Sequence, residues 1–202
     1  MFAEGVAGVY TTRMEVKRVN IREAAELVLS EIRGVVGQID VRAAQALVEA
    51  LCEARRVYVA GEGRSGLIAR AFAMRLVHLG MNAYVCGETI TPAIEAGDLC
   101  VACSGTGETA ITCHRARQSQ RVGAKVAAIV AAPETPLGSK ADIEIILPAP
   151  TKQRPGGVGS RQFGASLFEQ ALLVFLDAVV LLLQERQGAS PESMFARHAN
   201  LE

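Results

Sequence analysis

Apolar positions along this chain follow two different spacings. At Ile21, Ala24, Ala25, Val28, Ile32 and Val35 they recur three or four residues apart, which predicts a helix over 21–36. Asp40 supplies the N-cap of a second helix running to residue 54. The pattern then changes to short apolar runs at 56–60, 82–86, 99–103, 125–131 and 143–147, each a predicted strand, the last bounded by Pro148 and Pro150. Helical stretches alternate with these strands, the arrangement of a parallel sheet covered on both faces. The fold class expected is therefore α/β, with a five-stranded parallel sheet sandwiched by helices, two helices ahead of the first strand and a long apolar C-terminal helix. That last helix covers 163–186 and is apolar almost throughout from Ala171 to Leu183. Its unbroken apolar length falls below the roughly twenty residues of a membrane span and Asp177 interrupts it, so it is expected to be buried against the sheet and a second subunit. Residues 1–19 carry little pattern, and Met14 offers an alternative start; they are read as a loose extension to a single domain over 20–202.

Composition narrows the classes of function. The chain has 202 residues, half of them apolar, enough for one domain with a full core. Its 21 basic residues balance its 21 acidic ones, and it has no Trp, which leaves neither an electrostatic footprint nor a stacking platform for nucleic acid. Five cysteines scattered through apolar runs, with no signal peptide, point to reduced, buried thiols in a cytoplasmic protein. Cys100 and Cys103 have metal-type spacing, but three apart on a strand they face opposite ways, and no second cysteine pair completes a zinc site. No cofactor is expected.

The chemistry centres on Asp98 to Thr109, where a buried strand passes into a turn of glycines and hydroxyls and then a helix starting at Glu108. Unpaired N–H groups at the positive end of that helix, with the hydroxyls of Ser104, Thr106 and Thr109, form a phosphate cradle, and Gly105 and Gly107 let the backbone close on the anion. The competing reading is an ordinary helix N-cap in a glycine turn. Residues 61–66 form G-x-G-x-x-G after a strand and before a helix, with Glu88 some twenty residues on. A dinucleotide site is one reading of this motif. The motif lies more than fifty residues into the chain, with no room for a second nucleotide-binding half, so Gly63, Arg64 and Ser65 fit better against a small phosphorylated ligand.

Right-handed crossovers bring the loops 61–66, 87–91 and 104–109 to the carboxyl ends of the strands, where open α/β sheets bind ligands. In the helix after the first loop, Leu67, Ala71, Met74 and His78 fall on one stripe, which places His78 on an apolar face as either a core or a functional histidine. Residues 151–161, rich in Pro, Gly and basic groups, form a loop that is either solvated or a lid. Glu169 stands in the first turns of the last helix, as a dipole-favoured solvated acid or as a general base.

Gly63-Arg-Ser-Gly66, Arg75-Leu-Val-His-Leu-Gly80, Gly87-Glu-Thr-Ile-Thr-Pro92, Asp98 to Thr109, Ser166-Leu-Phe-Glu-Gln170 and Arg197-His-Ala-Asn-Leu201 together resemble the 6-phospho-3-hexuloisomerase family, built on a single sugar isomerase (flavodoxin-like) domain. The resemblance runs from about Ile21 to the end. It implies a homotetramer that interconverts D-arabino-hex-3-ulose 6-phosphate and fructose 6-phosphate in the ribulose monophosphate pathway, with a functional link to a hexulose-phosphate synthase. By the same resemblance Glu169 is the base and His78 the catalytic histidine, while Ser65, Ser104, Thr106 and Thr109 bind phosphate. Gly63, Arg64, Glu88, Gly105 and His198 complete the substrate contacts. Two departures stand out: Thr106 occupies a position where serine is usual, and Gly164-Ala165 precedes Ser166 where glycine would adjoin the serine.

Moving a ketone from C3 to C2 needs one base near the two carbons and donors near their oxygens, since the C2 proton is acidic only while the C3 carbonyl is polarised. Only the fructose ester closes a five-membered ring, so a ring-opening acid is needed on that side alone; His78 or His198, from the same or a neighbouring subunit, is the candidate. The rival readings are another phosphosugar aldose–ketose isomerase, a non-catalytic sugar-phosphate sensor and an NAD-dependent oxidoreductase.

Overall fold

The computed structural model describes residues 19–151 and 159–201; the expectation for the N-terminal extension over 1–18 and most of that for the 151–161 loop lie outside the described residues. Helix α1, Ile21–Val36, is fixed at its start by a capping box in which Asn20 accepts from the Glu23 N–H and Glu23 accepts from the Asn20 N–H. Helix α2, Val41–Glu53, is capped by Asp40, as its sequence predicts. The chain then alternates β1 (Val57–Gly61), α3 (Gly63–His78), β2 (Ala83–Val85), β3 (Leu99–Cys103), α4 (Ala110–Arg121), β4 (Lys125–Val130) and β5 (Ile143–Ile146). It closes with α5, Ser166–Gln187, and the short α6, Pro191–Phe195.

All five strands are parallel, in the order β2-β1-β3-β4-β5. The order reverses between β1 and β3, so the crevice beyond their carboxyl ends is the expected ligand position. Alternation along β3 sends Val101 and Cys103 into the larger core with α1, α2, α3 and α5, and Cys100 and Ala102 into the smaller core under α4. The two cysteines therefore face opposite ways, as expected. Of the five thiols, Cys100, Cys103 and Cys113 are buried, but Cys52 is exposed and Cys86 half-buried, against the expectation that all five are buried.

Two helices depart from the sequence reading. Helix α3 starts at Gly63, so Arg64 and Ser65 belong to its first turn and not to a loop. Its core face is Ser65, Gly66, Ala69, Phe72, Ala73 and Leu76, while Leu67, Ala71 and Met74 point outward. Both faces of α3 carry apolar residues, so periodicity alone selects the wrong stripe. Helix α5 begins three residues later than expected, after a turn in which Gly164 takes a φ of 65°. At 22 residues it is long and apolar enough to cross a membrane by length and composition, yet Leu167, Phe168, Ala171, Leu172, Phe175, Leu176, Val179 and Leu183 are in the core. It is a core helix with an apolar outer face, where Leu173, Leu181 and Leu182 are exposed.

Candidate active site

Beyond β3 the chain turns sharply at Ser104, whose own N–H is taken by the Ile129 carbonyl of β4. The Ser104 hydroxyl accepts from the Gly107 N–H at 3.1 Å and shares a hydrogen bond with the Thr109 hydroxyl at 2.9 Å. Thr109 is the N-cap of α4, so the helix starts two residues later than the sequence reading placed it. Thr106 accepts from the Glu108 N–H at 3.2 Å. Among the described residues the N–H groups of Gly105, Thr106 and Thr109 reach no main-chain acceptor, and those of the first turn of α4 have no intrahelical partner. These donors and hydroxyls lie together at the positive end of α4, a disposition suited to an anion such as a phosphate ester.

Of the two glycines in this loop, Gly107 is required and Gly105 is closely packed. Gly107 has a φ of 64°, and a Cβ there would meet the Thr135 side chain at 2.4 Å. At Gly105 a Cβ would lie 3.0 Å from the ring of Phe168, the residue before Glu169. Packing of Phe168 on Gly105 thereby fixes the cradle against the start of α5.

The same end of α5 meets the first turn of α3. Arg64 Nη1 pairs with Glu169 Oε2 at 2.8 Å and donates to the Ser166 hydroxyl at 3.1 Å. The Glu169 side chain is only 14% exposed, which distinguishes it from a solvated first-turn acid. Ser65 lies at the buried edge of the same turn. Gly63, Arg64, Ser65, Ser104, Gly105, Thr106, Thr109 and Glu169, chosen from sequence, thus gather at one edge of the sheet. Glu88 lies to the side, paired with Arg70 of α3. Its loop is held by Arg115, which pairs with Glu62 and whose guanidinium would collide with a Cβ at Gly87.

The histidines are elsewhere. His78 ends α3, about 20 Å from Ser65 by the helical rise. Its ring stacks on His198 at 5.2 Å, and Arg197 donates to the His78 carbonyl at 3.3 Å. Burial, with the charge of Arg75 and the proximity of His198, pushes the His78 imidazole below its ordinary value. The motifs 75–80 and 197–201 therefore meet each other, not the cradle. Within one chain neither histidine reaches the cradle or Glu169.

Sequence reasoning missed three features: the Arg64–Glu169 pair, the Phe168–Gly105 contact, and a buried carboxylate, Glu31 of α1, which holds residues 160–162 ahead of α5. Each links positions far apart in the chain, and no local pattern marks them.

A glycine- and hydroxyl-lined turn and the partly buried Glu169 meet at the carboxyl edge of a parallel sheet whose strand order reverses there, which defines the class as an α/β domain with its candidate site at the switch point. The chain belongs to the SIS domain family, whose model matches residues 50–174. It is 42% identical over 176 residues to a 3-hexulose-6-phosphate isomerase of Bacillus subtilis (strain 168), covering 87% of this chain and 95% of that one. To the 3-hexulose-6-phosphate isomerase of Mycobacterium gastri it is 40% identical over 183 residues, covering 91% and 92%. Among solved structures, a hypothetical protein from Methanococcus jannaschii, whose crystal structure was taken to infer the same molecular function, superimposes with a TM-score of 0.77 at 29% identity, covering 89% of this chain and 99% of that one.

Proposed function

We propose that this protein is an isomerase that interconverts D-arabino-hex-3-ulose 6-phosphate and fructose 6-phosphate. The observation that carries the reading is the partly buried carboxylate of Glu169, fixed beside the hydroxyl-lined turn by Arg64 and by the Phe168–Gly105 contact. The ester binds at Ser104, Thr106, Thr109, Ser65 and the free N–H groups of the α4 turn, so that C2 and C3 stay within reach of Glu169. Glu169 removes the proton from C2, the electrons move to the C3 oxygen as a cis-enediolate, the O2 proton passes to O3, and the same carboxyl returns its proton to C3 as the C2 carbonyl forms. Arg64 orients the base and places a cation at the edge of the site where the enediolate charge develops.

A homotetramer belongs to the same reading. It is supported by exposed apolar residues on two packed helices: Leu67, Met74 and Val77 on α3, with Leu173, Leu181 and Leu182 on α5. A histidine role in ring opening then requires His78 or His198 to come from a second copy. A hexulose-phosphate synthase, which joins or releases formaldehyde, is the enzyme whose product this isomerase consumes, in the cytoplasm.

The test incubates purified protein with fructose 6-phosphate and an excess of that synthase. Formaldehyde release is expected; none, with the synthase shown active, overturns the assignment and leaves a sensor or a different isomerase.

A further inference from the structure

Glu31 is a carboxylate in the middle of α1 with 8% of its surface exposed, a position where an unpaired acid is strongly disfavoured. It is fully engaged. Oε1 accepts from the Arg161 N–H at 2.9 Å, and Oε2 accepts from the Ser160 hydroxyl at 2.8 Å and from Gln162 Nε2 at 2.9 Å. The network continues inward. Ser160 Oγ accepts from the Gln162 N–H at 3.0 Å, and Gln162 Oε1 accepts from Gln170 Nε2 at 2.8 Å. Gln170 follows Glu169 directly on α5, and the Ser166 hydroxyl donates to the Phe163 carbonyl at 2.8 Å within the turn between. One carboxylate on the first helix is thus joined, through residues 160–162, to both the entry and the first turn of the helix that carries the base.

We propose that Glu31 is a positioning residue for the isomerisation, clamping residues 160–162 to α1 so that α5 presents Glu169 at one fixed depth beside the cradle. The proposal rests on Glu169 being the base. The hydrogen bonds of the cradle run to β4 and α4, and it meets α5 through the packing of Gly105 on Phe168, so the clamp acts chiefly on the reacting end of the substrate. A glutamine at position 31 keeps the size but cannot replace the function. Its single oxygen can serve one side of the fork, and its NH2 then faces the donor on the other.

The expected result for Glu31→Gln is a fall in kcat of about tenfold or more, with KM for fructose 6-phosphate changed less than about twofold. Ser160→Ala with Gln162→Ala removes the partners from the other side, covers the case in which Glu31→Gln fails to fold, and is expected to give the same split. Combining all three substitutions should add less than about twofold, because they break one unit. Hydrogen exchange of the intact proteins reads the clamp without turnover: exchange across 166–170 should rise about tenfold in either variant while that of α4 is unchanged. Unchanged exchange at 166–170 overturns the clamp whatever the activity. Raised exchange with unchanged kcat overturns its role in the reaction, as does a loss that follows only the fraction of folded protein. A wild type with no turnover overturns the isomerase reading and this positioning role with it, while exchange still decides the clamp.

Discussion

Gly107→Ala joins the fold to the site more closely than any other single change. Gly107 has a φ of 64°, which costs a residue with a side chain about 1–2 kcal/mol. The new Cβ would also stand 2.4 Å from Cβ and Oγ1 of Thr135 and 2.9 Å from its Cγ2. Thr135 cannot yield easily: it is 1% exposed and its hydroxyl accepts from the Gly138 N–H at 3.0 Å. Overpacking of this kind adds about 1–3 kcal/mol. The sum is about 2–5 kcal/mol, or roughly 4–20 °C in Tm for a chain of this size. Gly63→Ala is the control, since Gly63 has a φ of 58° but nothing within 4 Å of its Cβ, and it should cost only the first part. Chemical denaturation of both variants, and of Gly107→Ala combined with Thr135→Gly, separates the terms: the pair should be less destabilised than the sum of its single changes by about 1–3 kcal/mol. A loss in Gly107→Ala no larger than in Gly63→Ala would refute the packing argument. In the folded fraction, the displaced loop should raise KM for fructose 6-phosphate.

Other outcomes follow from the same geometry. Ser104→Ala with Thr109→Ala should raise KM severalfold in steady-state assays with a smaller change in kcat, and an unchanged KM would remove the cradle from the account. Arg64→Met should lower kcat about tenfold, near the 1.5–3 kcal/mol of a hydrogen bond to a charged group, yet alter thermal stability by under about 1 kcal/mol because the side chain is 57% exposed. For Asp98, burial acts to raise the carboxyl, but hydrogen bonds from Arg56, the Glu95 N–H and Arg55 outweigh it and hold it below the ordinary range. Its contribution is therefore complete above the unfolded value and lost as pH falls through the lower folded one. Denaturation of Asp98→Asn against wild type should show a constant deficit near neutral pH that shrinks below about pH 4. A deficit that stays constant into acid would contradict this.

Much of the fold was legible because local pattern and global packing agree. The apolar run 99–103 became a fully buried central strand, and Asp40 became the expected cap. The tight turn of glycines and hydroxyls between β3 and α4 was legible because a buried apolar run passes directly into it. The outward stripe of α3 misled because Leu67 and Met74 are as apolar as Phe72 and Leu76, which face the core. Glu31, and the pairing of Arg64 with Glu169, were illegible in a different sense. A lone acid on a helix reads as solvated, Arg64 read as facing a ligand, and the partners of these two lie more than a hundred residues downstream. His78 was placed on an apolar face correctly in burial but for another reason, since the C-terminal tail covers it.

The central claim is that Glu169 moves a proton between C2 and C3 of a sugar held by its phosphate. Incubating fructose 6-phosphate with the protein in heavy water and following the sugar by NMR tests it directly. Deuterium should enter at C3 with wild type and not with Glu169→Gln, although that variant still binds the ester. Deuterium at C1, the mark of an aldose–ketose isomerase, or exchange at C3 by Glu169→Gln at the wild-type rate, would contradict the account.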